Sequence, residues 1–318
     1  MLLAPYTTVI AQEARNLLRS SIPEGDFRQL VEEGLGQPGR CFSAFNPVGG
    51  SVLCLLVCEA ISGHCRQAGL AATALEFLQA AADTFDEVED GDADAWWKGH
   101  GDAVAVNLAA ALLMLSQKAT ARMVQAQGKR LASSELRAMN DFALRSLAGQ
   151  HDDLTSEQRA KVSQRQCLDM ISRKSASVAE CCCYLGALLA TGSKQFVAPY
   201  AAFGHNFGMA AQIRNDASSF RTPAEATGDI GRKKKTLPVI FALAQAKGTD
   251  RRFLREAYLT RGCLSKEVGE EVRHTVLQLG GVHYALAVSE LYKKRASDAL
   301  MHPAIVSHNK RKLIALLQ

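Results

Sequence analysis

The chain has 318 residues, of which 47% are hydrophobic and 22% charged, and its formal net charge is +5 at pH 7. This is the composition of an ordinary globular protein. The basic excess is too small and too scattered to indicate a nucleic acid as partner.

The N-terminus lacks a basic leader followed by an apolar core, so it does not have the pattern of a signal peptide. No stretch reaches the roughly 18 apolar residues typical of a membrane span. The nine cysteines form neither a C-x-x-C pair nor a zinc pattern, and three of them are consecutive within an apolar run at 181–183. We therefore expect reduced core thiols in a soluble, cytoplasmic protein without a membrane span.

The dominant pattern along the chain is helical. Ala/Leu-rich segments nearly free of internal Gly and Pro come first, a polar break follows at 150–158, and further apolar segments fill the rest of the chain. Several segments are apolar nearly all round, which is typical of helices buried in a bundle. Alternating β-branched runs are absent, and no linker is long enough to divide the chain. The sequence thus predicts an all-α protein, one large helical bundle forming a single domain over residues 1–318. The predicted helices before the break cover 52–69, 72–88, 103–125 and 133–149, and those after it include 159–190 and 196–220.

The stretch "FDEVEDGD" at 85–92 places five carboxylates at the end of an apolar helix. Asp86 and Asp90 are i, i+4 neighbours, where like charges repel, and a helix C-terminus disfavours anions. No Lys or Arg lies between positions 66 and 98 to compensate them. A divalent cation would do so, since Mg²⁺ takes one or two carboxylates together with substrate phosphate oxygens. The alternative is an acidic helix end exposed to solvent.

Further polar residues interrupt apolar segments downstream. Gln212, Asn215 and Asp216 lie at the end of one helix, Lys174 lies inside another, and a basic loop, "GRKKK", covers 231–235. A buried Lys is costly unless it is paired or faces a polar cavity. Two acidic helix ends with isolated cations indicate a cavity for metal ions and a diphosphate.

These motifs together resemble those of the trans-isoprenyl diphosphate synthases, or polyprenyl synthetases. Five motifs stand in the family's order between about residues 40 and 300, with Glu87 in place of one Asp of the first aspartate-rich motif. The segments that carry the resemblance are "FDEVEDGD", "GDAVAVNLAAALL", "MISRKSASV", "QIRND" and "GDIGRKKKTLPVIFAL".

The resemblance implies the ionisation of an allylic prenyl diphosphate, which leaves an allylic carbocation in a site that excludes water. It also implies Mg²⁺ as cofactor and a homodimer. The implied metal ligands are Asp86, Glu87 and Asp90 on one side of the diphosphate and Asp216, helped by Asn215, on the other; Lys174, Gln212 and Lys234 are the implied catalytic contacts to the diphosphate, and Lys98 is an implied substrate ligand.

The departures from the family pattern concern the second substrate. The early basic segment that binds isopentenyl diphosphate in the family reads "CFSAFNPVGGSVL" here, with Arg40 the nearest cation. The Arg pair after the first motif is replaced by "AWWKG", which leaves only Lys98, and the second motif keeps one Asp of its pair. The ionising half of the site is largely retained, whereas the site for the second charged substrate is reduced.

Three functions are open at this point. The first joins the prenyl cation to isopentenyl diphosphate. The second uses another acceptor, either an aromatic or peptide side chain or, as in a class I terpene synthase, the double bonds of the substrate itself. Asn215 and Ser219 fit the start of the terpene synthase motif N-D-x-x-S-x-x-x-E, but Pro223 stands at its Glu position. The third is a non-catalytic subunit of a prenyl synthase.

The resemblance also bears on chain length. In the family, the side chains four and five residues before the first Asp face the growing prenyl chain, and here these are Ala82 and Ala81. Both are small, so we expect room for about four or more isoprene units, with Phe77 as the floor. Alanines that merely allow close helix packing are the alternative.

Overall fold

The computed structural model describes residues 3–43, 49–92, 94–127, 129–157, 159, 161–193, 196–223, 228–259, 262–302, 305 and 310–318. The regular structure in these ranges is helical and contains no strand, so the all-α prediction is confirmed. The α-helices are α1 (Ala4–Arg19), α2 (Asp26–Leu35), α3 (Gly50–Ser62), α4 (Gly69–Glu89), α5 (Asp102–Gln127), α6 (Lys129–Ser156), α7 (Gln164–Ile171), α8 (Ser177–Thr191), α9 (Ala198–Ser218), α10 (Leu237–Gln245), α11 (Gly248–Leu259), α12 (Lys266–Gln278), α13 (Gly281–Leu300) and α14 (Arg311–Ala315).

The chain forms two compact units. The prediction of a single domain over residues 1–318 is not tested by this division and stays a prediction. The first unit comprises Met1–Phe142, Ala179–Gly204 and Ser297–Gln318, and the second comprises Ala143–Val178 and His205–Ala296.

In the first unit, α4 packs along α5 and against α1 and α3. The side chains of α3 from Ser51 to Cys58 are all buried, which agrees with its apolar sequence on every face. Phe77 on α4 is fully buried as well. The apolar helices of this unit therefore form its core and leave the polar end of α4, after Thr84, for a site.

Glycine allows a close approach of α3 and α8 within the first unit. A Cβ on Gly186 of α8 would overlap the backbone carbonyl oxygen of Cys54 on α3. Backbone cannot withdraw as the end of a flexible side chain can. A residue without Cβ is thus required at position 186.

The core of the second unit gathers apolar side chains from its helices around α10 and α12, with Leu237 and Val272 fully buried. Helix α7 begins with a capping box, in which Ser163 Oγ accepts from the backbone N–H of Gln166 and the Gln166 side chain accepts from the N–H of Ser163. The predicted helix over 159–190 accordingly starts at Gln164.

The predicted polar break at 150–158 is wrong, because α6 continues through most of it and ends at Ser156. A second difference follows α7, where the π-helical segment Ser172–Ala176 separates α7 from α8. Both differences concern polar residues near Lys174, which the next subsection describes.

Among the described residues, one helix, Asp102–Ala126 within α5, is long and apolar enough to cross a membrane by length and composition, and 44% of its most apolar window is buried inside the protein. The core helix of a soluble protein has the same properties, so this helix carries no argument for a membrane span.

None of the nine cysteines, all of which belong to the described part of the chain, is in a disulfide, and seven of them are buried. Burial raises the pKa of the Cys58 thiol to about 11. The seven buried thiols are small apolar groups in the core.

We predict that Gly186→Ala lowers the free energy of unfolding by about 2–3 kcal/mol, because overpacking against the Cys54 carbonyl outweighs the roughly 1 kcal/mol by which alanine favours a helix. Thermal unfolding of the two proteins measures this. Gly99→Ala is the control, because a Cβ there meets no atom within 4 Å. Equal losses in both variants would contradict the steric explanation.

Candidate active site

The acidic end of α4 has the predicted geometry. The helix ends at Glu89 with Asp90 as its C-cap, and the backbone N–H of Asp90 donates to the carbonyl oxygen of Asp86 at 2.8 Å. Asp86 and Asp90 are both partly buried and lie one turn apart on the same side of the helix. The structure thus brings these two carboxylates together.

One cation does reach this acidic end, from a distant part of the chain. The Arg40 guanidinium forms an ion pair with Asp83 and contacts the carbonyl oxygen of Gln79 at 3.4 Å. Arg40 precedes Asp83 by 43 positions, so the sequence around the acidic stretch does not indicate this ion pair. Arg40 therefore compensates Asp83, the carboxylate that precedes Asp86 and Asp90 on α4.

Glu87 is held by a tryptophan. The indole Nε1–H of the fully buried Trp97 donates to Glu87 Oε2 at 2.5 Å. Burial raises the pKa of Glu87, and the hydrogen bond from Trp97 opposes that shift. Lys98, the next residue, forms an ion pair with Asp102 at 2.9 Å, and its ammonium lies 5.2 Å from the centroid of the Trp97 ring. Sequence reasoning missed this role of Trp97.

Lys174 lies in the π-helical segment and is partly buried. Its Nζ pairs with Asp153 Oδ2 at 2.8 Å, and its backbone carbonyl accepts from Ser146 Oγ at 2.7 Å. Gly149, between these two residues on the same side of α6, lets the backbone of Lys174 approach closely. The polar stretch of α6 that was predicted as a break is therefore the support of Lys174. The paired aspartates "DD" at 152–153 were the available signal.

Asp216 on α9 is only 6% exposed, and its Oδ1 accepts from Gln212 Nε2 at 2.7 Å. Burial raises the pKa of Asp216 to about 7; the hydrogen bond from Gln212 opposes the shift, Asp229 and Asp153 add to it, and Lys234 opposes it. The structure thus associates Asp216 with Gln212 and with the charge of Lys234.

Asn215 does not share this environment. It is exposed, whereas Asp216 is buried, because adjacent residues of a helix lie about 100° apart. Ser219 Oγ donates to the backbone carbonyl of Asp216 at 2.7 Å. The residues that resemble the terpene synthase motif are therefore not gathered around the Asp216 carboxylate.

The three consecutive lysines before α10 have different environments. Lys233 has a left-handed backbone with φ 60°, and Lys235 is buried and donates to the carbonyls of Ser156 at 2.8 Å and Glu157 at 2.9 Å. Lys234, partly buried, is the one whose charge lowers the pKa of Asp216. Lys235 therefore has a structural contact with the end of α6, whereas Lys234 acts on Asp216.

The residues predicted to contact the prenyl chain divide by burial. Phe77 and Ala81 are 0% and 1% exposed, whereas Ala82 is exposed. Ala81 and Phe77 lie one turn apart on α4, and the contact of Ala81 and Ala82 with a prenyl chain stays a prediction.

The described residues contain no group of three or more His, Cys, Asp or Glu side chains placed to hold a metal ion. Mg²⁺ does not need one, since it retains waters and takes one or two carboxylates plus phosphate oxygens. Asp216 fits such an ion, because its carboxylate accepts from a neutral amide, while burial and then neighbouring carboxylates raise its pKa. Asp86 and Asp90 fit as a pair at a helix C-terminus.

Comparison with known proteins identifies the family of this chain. A family model described as polyprenyl synthetase matches residues 51–275. Geranylgeranyl diphosphate synthase of Mycobacterium tuberculosis is 27% identical over 293 residues, covering 89% of this chain and 79% of the relative. Tryptophan prenyltransferase ComQ of Bacillus spizizenii is 28% identical over 170 residues, covering 52% of this chain and 56% of the relative.

A solved structure agrees in fold. The polyprenyl synthetase of Streptomyces coelicolor superposes with a TM-score of 0.83 at 20% identity, covering 98% of this chain and 96% of that one. At this identity the likeness concerns the fold alone.

The raised pKa of Asp216 predicts a pH-dependent stability. Because the fold favours the protonated carboxyl, ionisation destabilises the protein as the pH rises from the ordinary value of 3.8 to about 7, and not further above it. Without divalent metal, wild type should therefore lose about 2–3 kcal/mol relative to Asp216→Asn between pH 5 and pH 8. Denaturant unfolding at both pH values measures this, with the exposed Asp250→Asn as control. A constant difference across the pH range would contradict the assignment.

Proposed function

Because this chain belongs to the polyprenyl synthetase family and is a prenyltransferase, we propose that it ionises an allylic prenyl diphosphate and transfers the prenyl group in a Mg²⁺-dependent reaction. The observation that carries the proposal is the pair Asp86 and Asp90 at the polar end of an apolar helix, in a family member that also retains Lys174, Asp216 and Lys234.

The residues have distinct proposed roles. Asp86 and Asp90 hold divalent metal, as does Asp216, whereas exposed Asn215 contributes little. Bound Mg²⁺ supplies positive charge that stabilises the leaving diphosphate. Glu87 belongs to the same site, although its hydrogen bond from Trp97 gives it a second, orienting function.

Two lysines are the proposed direct contacts of the diphosphate. Lys174 is fixed in place by Asp153 and by the contact of its carbonyl with Ser146, so little side-chain entropy is lost on binding. Lys234 adds a second ammonium, and the Gln212 amide supports Asp216. The preorganised cations stabilise the charge that develops on the diphosphate as the carbon–oxygen bond breaks.

A second candidate function differs in the acceptor. Arg40 and Lys98, the cations nearest to the family's missing basic motifs, are ion-paired with Asp83 and Asp102. A second diphosphate would be held by these two cations without the metal ions proposed for the first, and their carboxylate partners balance part of their charge. This observation favours transfer to an acceptor other than isopentenyl diphosphate, and one relative is named for prenylation of tryptophan.

Purified protein with Mg²⁺, allylic diphosphates of several lengths and labelled isopentenyl diphosphate separates these functions. Elongated labelled product supports the first. Release of diphosphate without incorporated label supports another acceptor, or cyclisation of the substrate. If neither product nor released diphosphate appears with any substrate, the proposal of catalysis is wrong and a non-catalytic subunit is favoured.

We predict that replacing Asp86 and Asp90 together by Ala lowers the turnover of an allylic diphosphate by about 100-fold or more, because no carboxylate pair then holds the metal at α4. Initial rates of diphosphate release measure this. Asp94→Ala, in the exposed loop after the helix, is the matched control and should retain wild-type rates. Unchanged turnover in the double variant would remove these residues from the site.

Chain length provides a further prediction. If the prenyl chain runs along α4 past Ala82 and Ala81 towards Phe77, Ala82→Phe should shorten the longest diphosphate accepted or produced without affecting the shortest substrate, since an aromatic ring fills the space. Chromatography of products or substrates by length measures this. Ala82→Ser, which keeps the side chain small, is the control. If wild type handles only chains of ten or fifteen carbons, the long pocket is contradicted.

We also propose a homodimer that covers the exposed apolar side of α5. Val106 and Met114, which lie about 80° apart around this helix, are 44% and 60% exposed. Met114→Glu should shift the protein towards monomer at micromolar concentration, because a charge in such an interface loses its hydration. Sedimentation of wild type as a 34.3 kDa species alone would contradict the proposal.

A further inference from the structure

The second compact unit contains a cavity of about 570 Å³ that none of the proposed diphosphate contacts or metal ligands lines. It lies between the start of α7, α10, α11 and the first turn of α13. Its volume falls within the range of sites for small organic molecules.

The charges that line this cavity are all positive. Lys161, Lys235, Arg251 and Arg255 contribute to it, and none of its described lining residues is acidic. Arg251 and Arg255 are i, i+4 neighbours on α11, where like charges repel by a few tenths of a kcal/mol. Neither forms an ion pair with a described residue. Both are exposed to solvent, and an anion at the cavity would bring an opposite charge to the two of them.

A buried polar group lies on the same side of α11. Tyr258 follows Arg255 by three residues and is 7% exposed, and its hydroxyl has no hydrogen-bond partner among the described residues. A buried hydroxyl without a partner is unfavourable, and native proteins rarely keep one without a reason. Burial also raises the pKa of Tyr258 well above its usual range, so the hydroxyl stays a donor.

The remaining lining is apolar. Phe241 and Tyr284 stack with ring centroids 4.2 Å apart, and Tyr284 OH accepts from Gln164. Val162 and Ile240 are buried beside them. Such a surface suits an aliphatic chain better than a polar group.

We propose that this cavity binds an alkyl or prenyl phosphate, with the phosphate contacted by Arg251, Arg255 and the Tyr258 hydroxyl and the chain packed against the aliphatic and aromatic lining. The site is separate from the proposed site of catalysis, and its occupancy does not require turnover.

Decyl phosphate is a suitable probe because it has the phosphate and the apolar chain but no allylic bond to ionise. Calorimetric titration in EDTA and about 0.05 M NaCl should show one bound probe per chain. Affinity should fall about tenfold or more when Arg251 and Arg255 are both replaced by Ala, since guanidinium–phosphate hydrogen bonds are charge-assisted. Tyr258→Phe should weaken binding several-fold. Decanol, inorganic phosphate and adenosine monophosphate should each bind more weakly.

The matched control is Arg252→Ala, which removes the same charge from the same helix outside the cavity. Wild-type affinity in this variant and in Lys174→Ala supports the assignment. The proposal is overturned if wild type does not bind the probe, if Arg252→Ala weakens binding as much as the cavity variants, or if Lys174→Ala alone abolishes it. Tighter binding of adenosine monophosphate would overturn the ligand class. None of these outcomes depends on whether the protein turns over allylic diphosphates.

Discussion

Lys174 and Asp216 are charged residues in helices whose other side chains are largely apolar, and burial makes each unfavourable unless another charge compensates it. Lys174 meets Asp153 at 2.8 Å. Asp216 accepts from the neutral amide of Gln212, and burial, to which nearby carboxylates add, raises its pKa to about 7. Lys174 is therefore stabilised by a carboxylate within the fold, whereas a bound cation would stabilise the ionised form of Asp216.

Ion pairing also bears on the second substrate of the family, isopentenyl diphosphate. The cations nearest to the missing basic motifs, Arg40 and Lys98, are used inside the fold to balance Asp83 and Asp102. The carboxylate partner balances part of the charge that would attract a phosphate. We therefore propose that a second diphosphate binds weakly, because the nearest cations are paired as well as few.

The sequence predicted what depends on local spacing. Apolar segments specified an all-α fold, and the i, i+4 spacing of Asp86 and Asp90 specified their shared face. It could not predict partners brought together by tertiary structure: Arg40 lies 43 positions from Asp83, and Asp153 lies 21 positions from Lys174. The polar end of α6 was predicted as a break, whereas in the structure Asp152 and Asp153 pair with Arg173 and Lys174, contacts that the neighbouring sequence does not show.

The π-helical segment Ser172–Ala176 has a consequence for how the position of Lys174 is encoded. A π turn accommodates one residue more than the α-helical repeat, so α7 and α8 are out of phase by about 100° across it. The buried face of α7 therefore does not continue in line as the buried face of α8. The direction of the Lys174 side chain therefore depends on the number of residues between α7 and α8. Deletion of Ser175 alone would turn Lys174 by about 100° relative to α8, although the lysine stays in the sequence.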